Sequence, residues 1–193
     1  IHRQDLDWEV HLIEDKNWNA FTIGGGKVFV YTGIFQGSAA IQSDDELAAI
    51  LAHEIAHINA RHPSEGRSKL LASKLLDKKL RSSVYQASFT TVQEDEADKY
   101  SVIYSALAGY DPRAGTRIWR RMHKVFGSNP ANLLYDHPLN KDRALSLEVY
   151  GNAAFRYYKN RQINVNHKTI LQDNVIFSHQ RLSNIEVGKG GGV

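Results

Sequence analysis

The chain has 193 residues, 42% hydrophobic and 23% charged, enough for one full core; three Trp, nine Tyr and seven Phe exclude disorder as its dominant state. The absence of cysteine excludes a disulfide scaffold, and no apolar run approaches the ~20 residues of a bilayer span. Net charge is +3, spread as −5 over residues 1–62, +4 over 63–150 and +4 over 151–193 without a long basic run, so we read a solvated surface and expect no nucleic-acid partner. The chain opens at Ile1 rather than Met, so we expect that an upstream segment was removed, with any signal peptide or lipid anchor it carried.

The first third reads as strands. Glu9-Val10-His11-Leu12-Ile13 alternates, Ala20-Phe21-Thr22-Ile23 follows, and Lys27-Val28-Phe29-Val30-Tyr31 is rich in β-branched and aromatic residues. Gly24-Gly25-Gly26 is hairpin punctuation, so we expect a small antiparallel sheet. Ser43-Asp44-Asp45-Glu46 reads as a capping box. It opens a helix striped by Leu47, Ile50, Leu51, Ile55 and Ile58, which Pro63 should stop near Arg61 or His62. A basic, leucine-rich helix is expected over 64–82, either packed with a lysine-rich outer face or acting as a lid toward membrane or substrate. Further helices are expected over 91–108, closed by Gly109, over 113–126 after Asp111-Pro112, and over 140–150. Residues 151–193 are polar, with weak strand signals at 162–165 and 174–177 and a glycine-rich, flexible end. Sheet first and helices after predicts an α+β fold, with one domain over 1–150 and a C-terminal extension over 151–193.

The chemistry centres on His53-Glu54-Ile55-Ala56-His57. Spacing of i, i+4 sets two imidazoles on one helix face, one turn apart, where both can bind a single metal ion. Glu54 lies beside them and can take a proton from a water at the metal without ligating it. A catalytic zinc needs a third protein ligand, and Glu94 and Asp98 share a face of the third helix. One of the two carboxylates can ligate while the other accepts the second N–H of a ligand imidazole. Glu96 points about 200° away from Glu94. His62 reads as a helix-end histidine. Two imidazoles and a carboxylate suit one zinc ion, and also accept cobalt or nickel.

Further motifs follow in order across residues 8 to about 150: Asn19-Ala20-Phe21 with the glycine turn, Tyr31-Thr32-Gly33, Asp45-Glu46-Leu47-Ala48, Glu94-x-x-Ala97-Asp98, Ala108-Gly109-Tyr110-Asp111-Pro112, and His137-Pro138 with Arg143 beyond. With the H-E-x-x-H helix, this set resembles metallopeptidase family forty-eight, the gluzincins of the HtpX, BepA and CAAX prenyl protease type. The resemblance implies a zincin-like fold with the sheet packed on the active-site helix, His53, His57 and Glu94 as zinc ligands, Glu54 as general base and acid, and Asp98 behind a ligand histidine. It sets Asn19, Ala20 and Phe21 at the substrate cleft and His137 and Arg143 at its rim, where His137 either steadies the oxyanion or latches onto the metal and Arg143 either touches substrate or ties the last helix down. The implied activity is metalloendopeptidase cleavage of unfolded or misassembled proteins and peptides, in the periplasm or at the outer membrane of a Gram-negative-type bacterium, with membrane-surface association. The alternative is a latched zinc-binding chaperone or assembly factor with little proteolysis.

Overall fold

The computed structural model describes residues 3–66, 89–127, 137, 141–159 and 175–178. Three strands come first: β1 (Glu9–Ile13), β2 (Ala20–Gly24) and β3 (Lys27–Tyr31), then a short 3-10 turn over Thr32–Phe35. Among the described residues the longer helices are α1 (Asp44–Asn59), α2 (Thr91–Ala108), α3 (Ala114–Phe126) and α4 (Lys141–Lys159), and a further strand is β4 (Val175–Ser178). The α+β class holds. The helix expected over 64–82 and the strand signal at 162–165 fall almost wholly outside the described residues, of which 62–66 are helical.

The sheet runs β2-β3-β1-β4, and it is mixed rather than antiparallel. Only the β2–β3 hairpin is antiparallel; β1 pairs parallel with β3 from Glu9↔Lys27 to Ile13↔Tyr31, and parallel with β4. The cause lies in the link between β1 and β2, which crosses over the end of β3 so that β1 takes the far side. Asp15 O accepts from Gly33 N at 2.8 Å and from the Thr32 hydroxyl at 3.0 Å. A Cβ at Gly33 would sit 2.1 Å from Asn17 O, so only glycine admits this crossing. Alternation within a strand reports its buried face, not its neighbour.

α1 starts as its cap predicts, with Ser43 Oγ accepting from Glu46 N at 3.3 Å. The box stays half made, because the buried Glu46 carboxylate binds Gln42 N at 2.8 Å and Arg121 at 2.6 and 2.8 Å, pinning α3 to α1. α1 ends where Ala60 caps it, and Arg61 then turns left-handed at φ 63°. α2 carries a full capping box between Thr90 and Gln93 and a left-handed Gly109 cap. α4 passes the expected stop at 150 and runs through Gly151 to Lys159. Gly151 is a point of close approach rather than a terminator, since a Cβ there would meet Pro112 O at 3.0 Å. The residue expected to begin a separate extension therefore lies inside this helix.

One core layer joins the hairpin to α1 and α3 through Ala20, Val28, Val30, Ile50, Ile118 and Met122. A second joins α2 to α4 through Val102, Ala106, Leu147 and Ala154. α1 lies between these layers, with β2 on one side and α2 on the other, so polar groups at its middle are held inside the fold.

Candidate metal centre

α1 is buried through Ala49, Ile50, Ala52, Ala56 and Ile58, and the same turns carry Glu54 and His57 inward; both are 2% exposed or less. His53 Nε2 and His57 Nε2 lie 3.0 Å apart. Glu94, fully buried on α2, reaches both, with Oε2 3.3 Å from His53 Nε2 and Oε1 3.4 Å from His57 Nε2. His137, just ahead of α4, completes the group: Nδ1 is 3.3 Å from His53 Nε2 and 2.8 Å from Glu94 Oε1. One donor atom from each of the four residues lies within 4.8 Å of the other three, close enough for a single ion to be held among them. Glu54 stands beside them, its Oε1 3.4 Å from His137 Nε2.

The groups behind the cluster fix its orientation and charge. His53 Nδ1 meets Asp98 Oδ1 at 3.0 Å, so a carboxylate backs that imidazole. Arg143, on the first turn of α4, forks onto Asp98 at 2.8 Å to each oxygen and reaches Glu94 Oε2 at 2.7 Å. Its guanidinium lies over Trp119, 4.2 Å from the ring centroid. His57 stacks on Phe89 at 3.9 Å between centroids, and its Nδ1 lies 2.9 Å from His62 Nδ1.

Burial and pairing divide the titratable groups sharply. Burial works against charge on His53, but hydrogen bonds to Asp98 and Glu94 prevail and raise it to about 10. Burial pushes His57 down to about 2, aided by the neighbouring His53 and His137. Glu94 and Asp98 are held below the carboxylate range despite burial, Glu94 chiefly by His137 and Asp98 chiefly by Arg143. Two imidazoles and a carboxylate, gathered within reach of one ion, fit zinc.

His53, Glu54, His57, Glu94, Asp98 and His137 are therefore brought together. Asn19 and Ala20 are buried at the start of β2, and Ala20 lines a cavity of about 60 Å³ with Trp18, Ile50, Glu54, Ile118 and Met122. Phe21, by contrast, stacks on Phe29 at 5.0 Å. Arg143, 3% exposed, lines the same cavity and sits beneath the cluster with its guanidinium committed to two carboxylates. Two site residues escaped sequence reasoning. A helix continued to His62 would aim it about 140° from His57, whereas the left-handed Arg61 folds it back beneath that ring. Phe89 carried no signal beyond being aromatic. Glu96 does point away from Glu94, and finds His62 Nε2 at 3.3 Å.

Known proteins resemble this chain in sequence. The model of peptidase family M48 matches residues 1–87, which contain His53, Glu54 and His57, while Glu94 and His137 lie beyond. Mitochondrial metalloendopeptidase OMA1 of Schizosaccharomyces pombe is 35% identical over 162 residues, 76% of this chain and 47% of that protein. The beta-barrel assembly-enhancing protease of Yersinia pestis is 27% identical over 159 residues, 69% of this chain and 32% of the relative. Metalloprotease LoiP of Escherichia coli is 23% identical over 162 residues, 75% of this chain and 62% of the relative. The chain thus spans less than half the length of the first two and under two thirds of the third. A glutamate-completed H-E-x-x-H cluster agrees with the similarity to these enzymes, and the chain carries a peptidase family M48 domain.

Proposed function

We propose that the chain is the catalytic part of a zinc-dependent endopeptidase cutting unfolded or misassembled proteins, with His53, His57 and Glu94 holding one zinc ion. The observation that carries this reading is the buried Glu54 carboxylate beside four converged metal donors, with His137 Nε2 3.4 Å away. Bound zinc supplies Lewis acidity, polarising a carbonyl and bringing the pKa of water from 15.7 toward about 7. Glu54 takes the proton of the attacking water and returns it to the leaving amine. Asp98, steadied by Arg143, accepts from His53 Nδ1–H and so keeps the lone pair of His53 Nε2 turned toward the cluster. An extended substrate adds along β2, whose outer edge has no strand partner among the described residues and whose other side pairs with β3.

His137 supports a refinement. Its Nδ1 stands at the fourth corner of the donor set, the position a water or carbonyl needs. In this arrangement the enzyme is latched, and the same ring steadies the oxyanion once moved aside. A latched zinc-binding assembly factor with little proteolysis is the second reading, favoured by that one contact. We take the setting to be a bacterial envelope, supported by the Yersinia and Escherichia relatives. Among the described residues no helix is long and apolar enough to cross a membrane. The zincin-like domain includes residues 1–150 and the rest of α4.

Casein digestion tests the reading. Zinc-loaded protein should cut casein internally, stop after chelation by 1,10-phenanthroline, and recover when zinc is restored. Cleavage that persists in metal-free protein would exclude it.

A further inference from the structure

We infer that His62 and Glu96 are positioning residues, a relay that fixes the ring of His57 and carries its second N–H outward to solvent. The inference rests on the zinc-site reading, because ligation decides the direction of each hydrogen bond. For Nε2 of His57 to offer a lone pair to a metal, its proton must sit on Nδ1. Among the described residues the ring nitrogen facing that proton is His62 Nδ1, 2.9 Å away, which must then accept. His62 is thereby left protonated on Nε2, the atom 3.3 Å from Glu96 Oε2. The opposite sense would aim an N–H of His57 into the donor cluster and abolish ligation.

Three observations support design rather than coincidence of packing. His62 is 2% exposed, so its ring nitrogens depend on protein partners. Arg61 adopts a left-handed φ of 63°, a conformation that costs a non-glycine residue free energy, and this turn is what swings His62 back under α1. Glu96 stands two residues beyond Glu94 on α2, so one helix turn supplies the metal cluster from one side and the relay from the other, with the Glu96 side chain 44% exposed. The two ligand histidines are therefore anchored differently. His53 has the buried Asp98, whereas a neutral imidazole backs His57 and holds the third carboxylate out at the surface. A cluster already containing buried Glu54, Glu94 and Asp98 is spared one more negative charge.

The test measures metal binding, not turnover. Zinc affinity by chelator competition and the visible spectrum of the cobalt-loaded protein are compared for the parent, His62→Phe, His62→Asn and Glu96→Leu, with circular dichroism of each metal-free protein. His62→Phe keeps a ring but removes the acceptor, and zinc affinity should fall about ten- to hundred-fold with a shifted cobalt spectrum. His62→Asn returns an acceptor near the Nδ1 position and should recover most of the loss, which a mere packing role would not produce. Glu96→Leu, at a half-exposed site that folding tolerates, should weaken zinc about three- to ten-fold. Parent-like affinity and spectrum in His62→Phe overturn the relay, and so does parent-like affinity in Glu96→Leu if His62→Phe fails to fold. A parent that binds no zinc overturns the zinc site itself and the relay with it; a parent that binds one zinc while His62→Phe matches it overturns the relay alone.

Discussion

Replacing Arg143 with methionine perturbs the account where buried charge is densest. Three guanidinium contacts, at 2.8, 2.8 and 2.7 Å, go to Asp98 and Glu94, carboxylates that are 1% and 0% exposed. Methionine fills much of the volume over Trp119 but leaves both carboxylates without their cation. Breaking a buried pair from one side costs about 3–5 kcal/mol, a large part of the roughly 5–15 kcal/mol that holds a domain together. Arg143→Lys keeps the charge but loses the fork onto Asp98, and should cost about 1–3 kcal/mol. Urea unfolding at pH 7, with and without zinc, reads both. The loss in Arg143→Met should shrink when Asp98→Leu is added, because the uncompensated charge is then removed with its partner. An Arg143→Met protein within about 1 kcal/mol of the parent would refute the view that this arginine neutralises the cluster.

Two further outcomes follow from other parts of the molecule. His137→Ala should keep one zinc per chain and raise casein cleavage several-fold by clearing the fourth corner; a fall in kcat of about a hundred-fold would instead make oxyanion support its main role. Asp111 is held at about 2, below its ordinary 3.8, because bonds from the Arg113 side chain and backbone and from Arg117 outweigh burial. A carboxyl depressed on folding stabilises above its unfolded pKa, so this contribution is complete above about pH 3.8 and lost as pH falls toward 2. Asp111→Asn should therefore lower stability at pH 7 by on the order of 1 kcal/mol, solvent screening the pair, and flatten the acid limb of unfolding between those pH values.

The helix carrying His53 and His57 was legible because its evidence is local: a cap at Ser43, an apolar stripe and a Pro63 stop all agree within one stretch of chain. Glu94 and Asp98 were legible for the same reason, sharing a face of a helix whose Gly109 terminus the sequence announces. What stayed hidden was long-range. β1 alternates equally well beside a parallel or an antiparallel partner, and the crossing over Gly33 decides which. Gly151 looks like a stop until Pro112 is known to lie against it. Arg143 reads equally as a substrate contact or as a tie for the last helix, and only its two carboxylate partners, distant in sequence, show where its guanidinium is committed. His62 was hidden by the periodicity that exposed His57: extrapolating the helix aims it elsewhere, and a single left-handed residue brings it back.

The central claim is that Glu54 moves the proton while the neighbouring histidines and Glu94 hold the metal. The most direct measurement compares casein hydrolysis by the parent and Glu54→Gln, with zinc content determined on the same samples. The account predicts one zinc per chain in both proteins and a loss of turnover of several orders of magnitude in Glu54→Gln. Parent-like cleavage by fully loaded Glu54→Gln would contradict it.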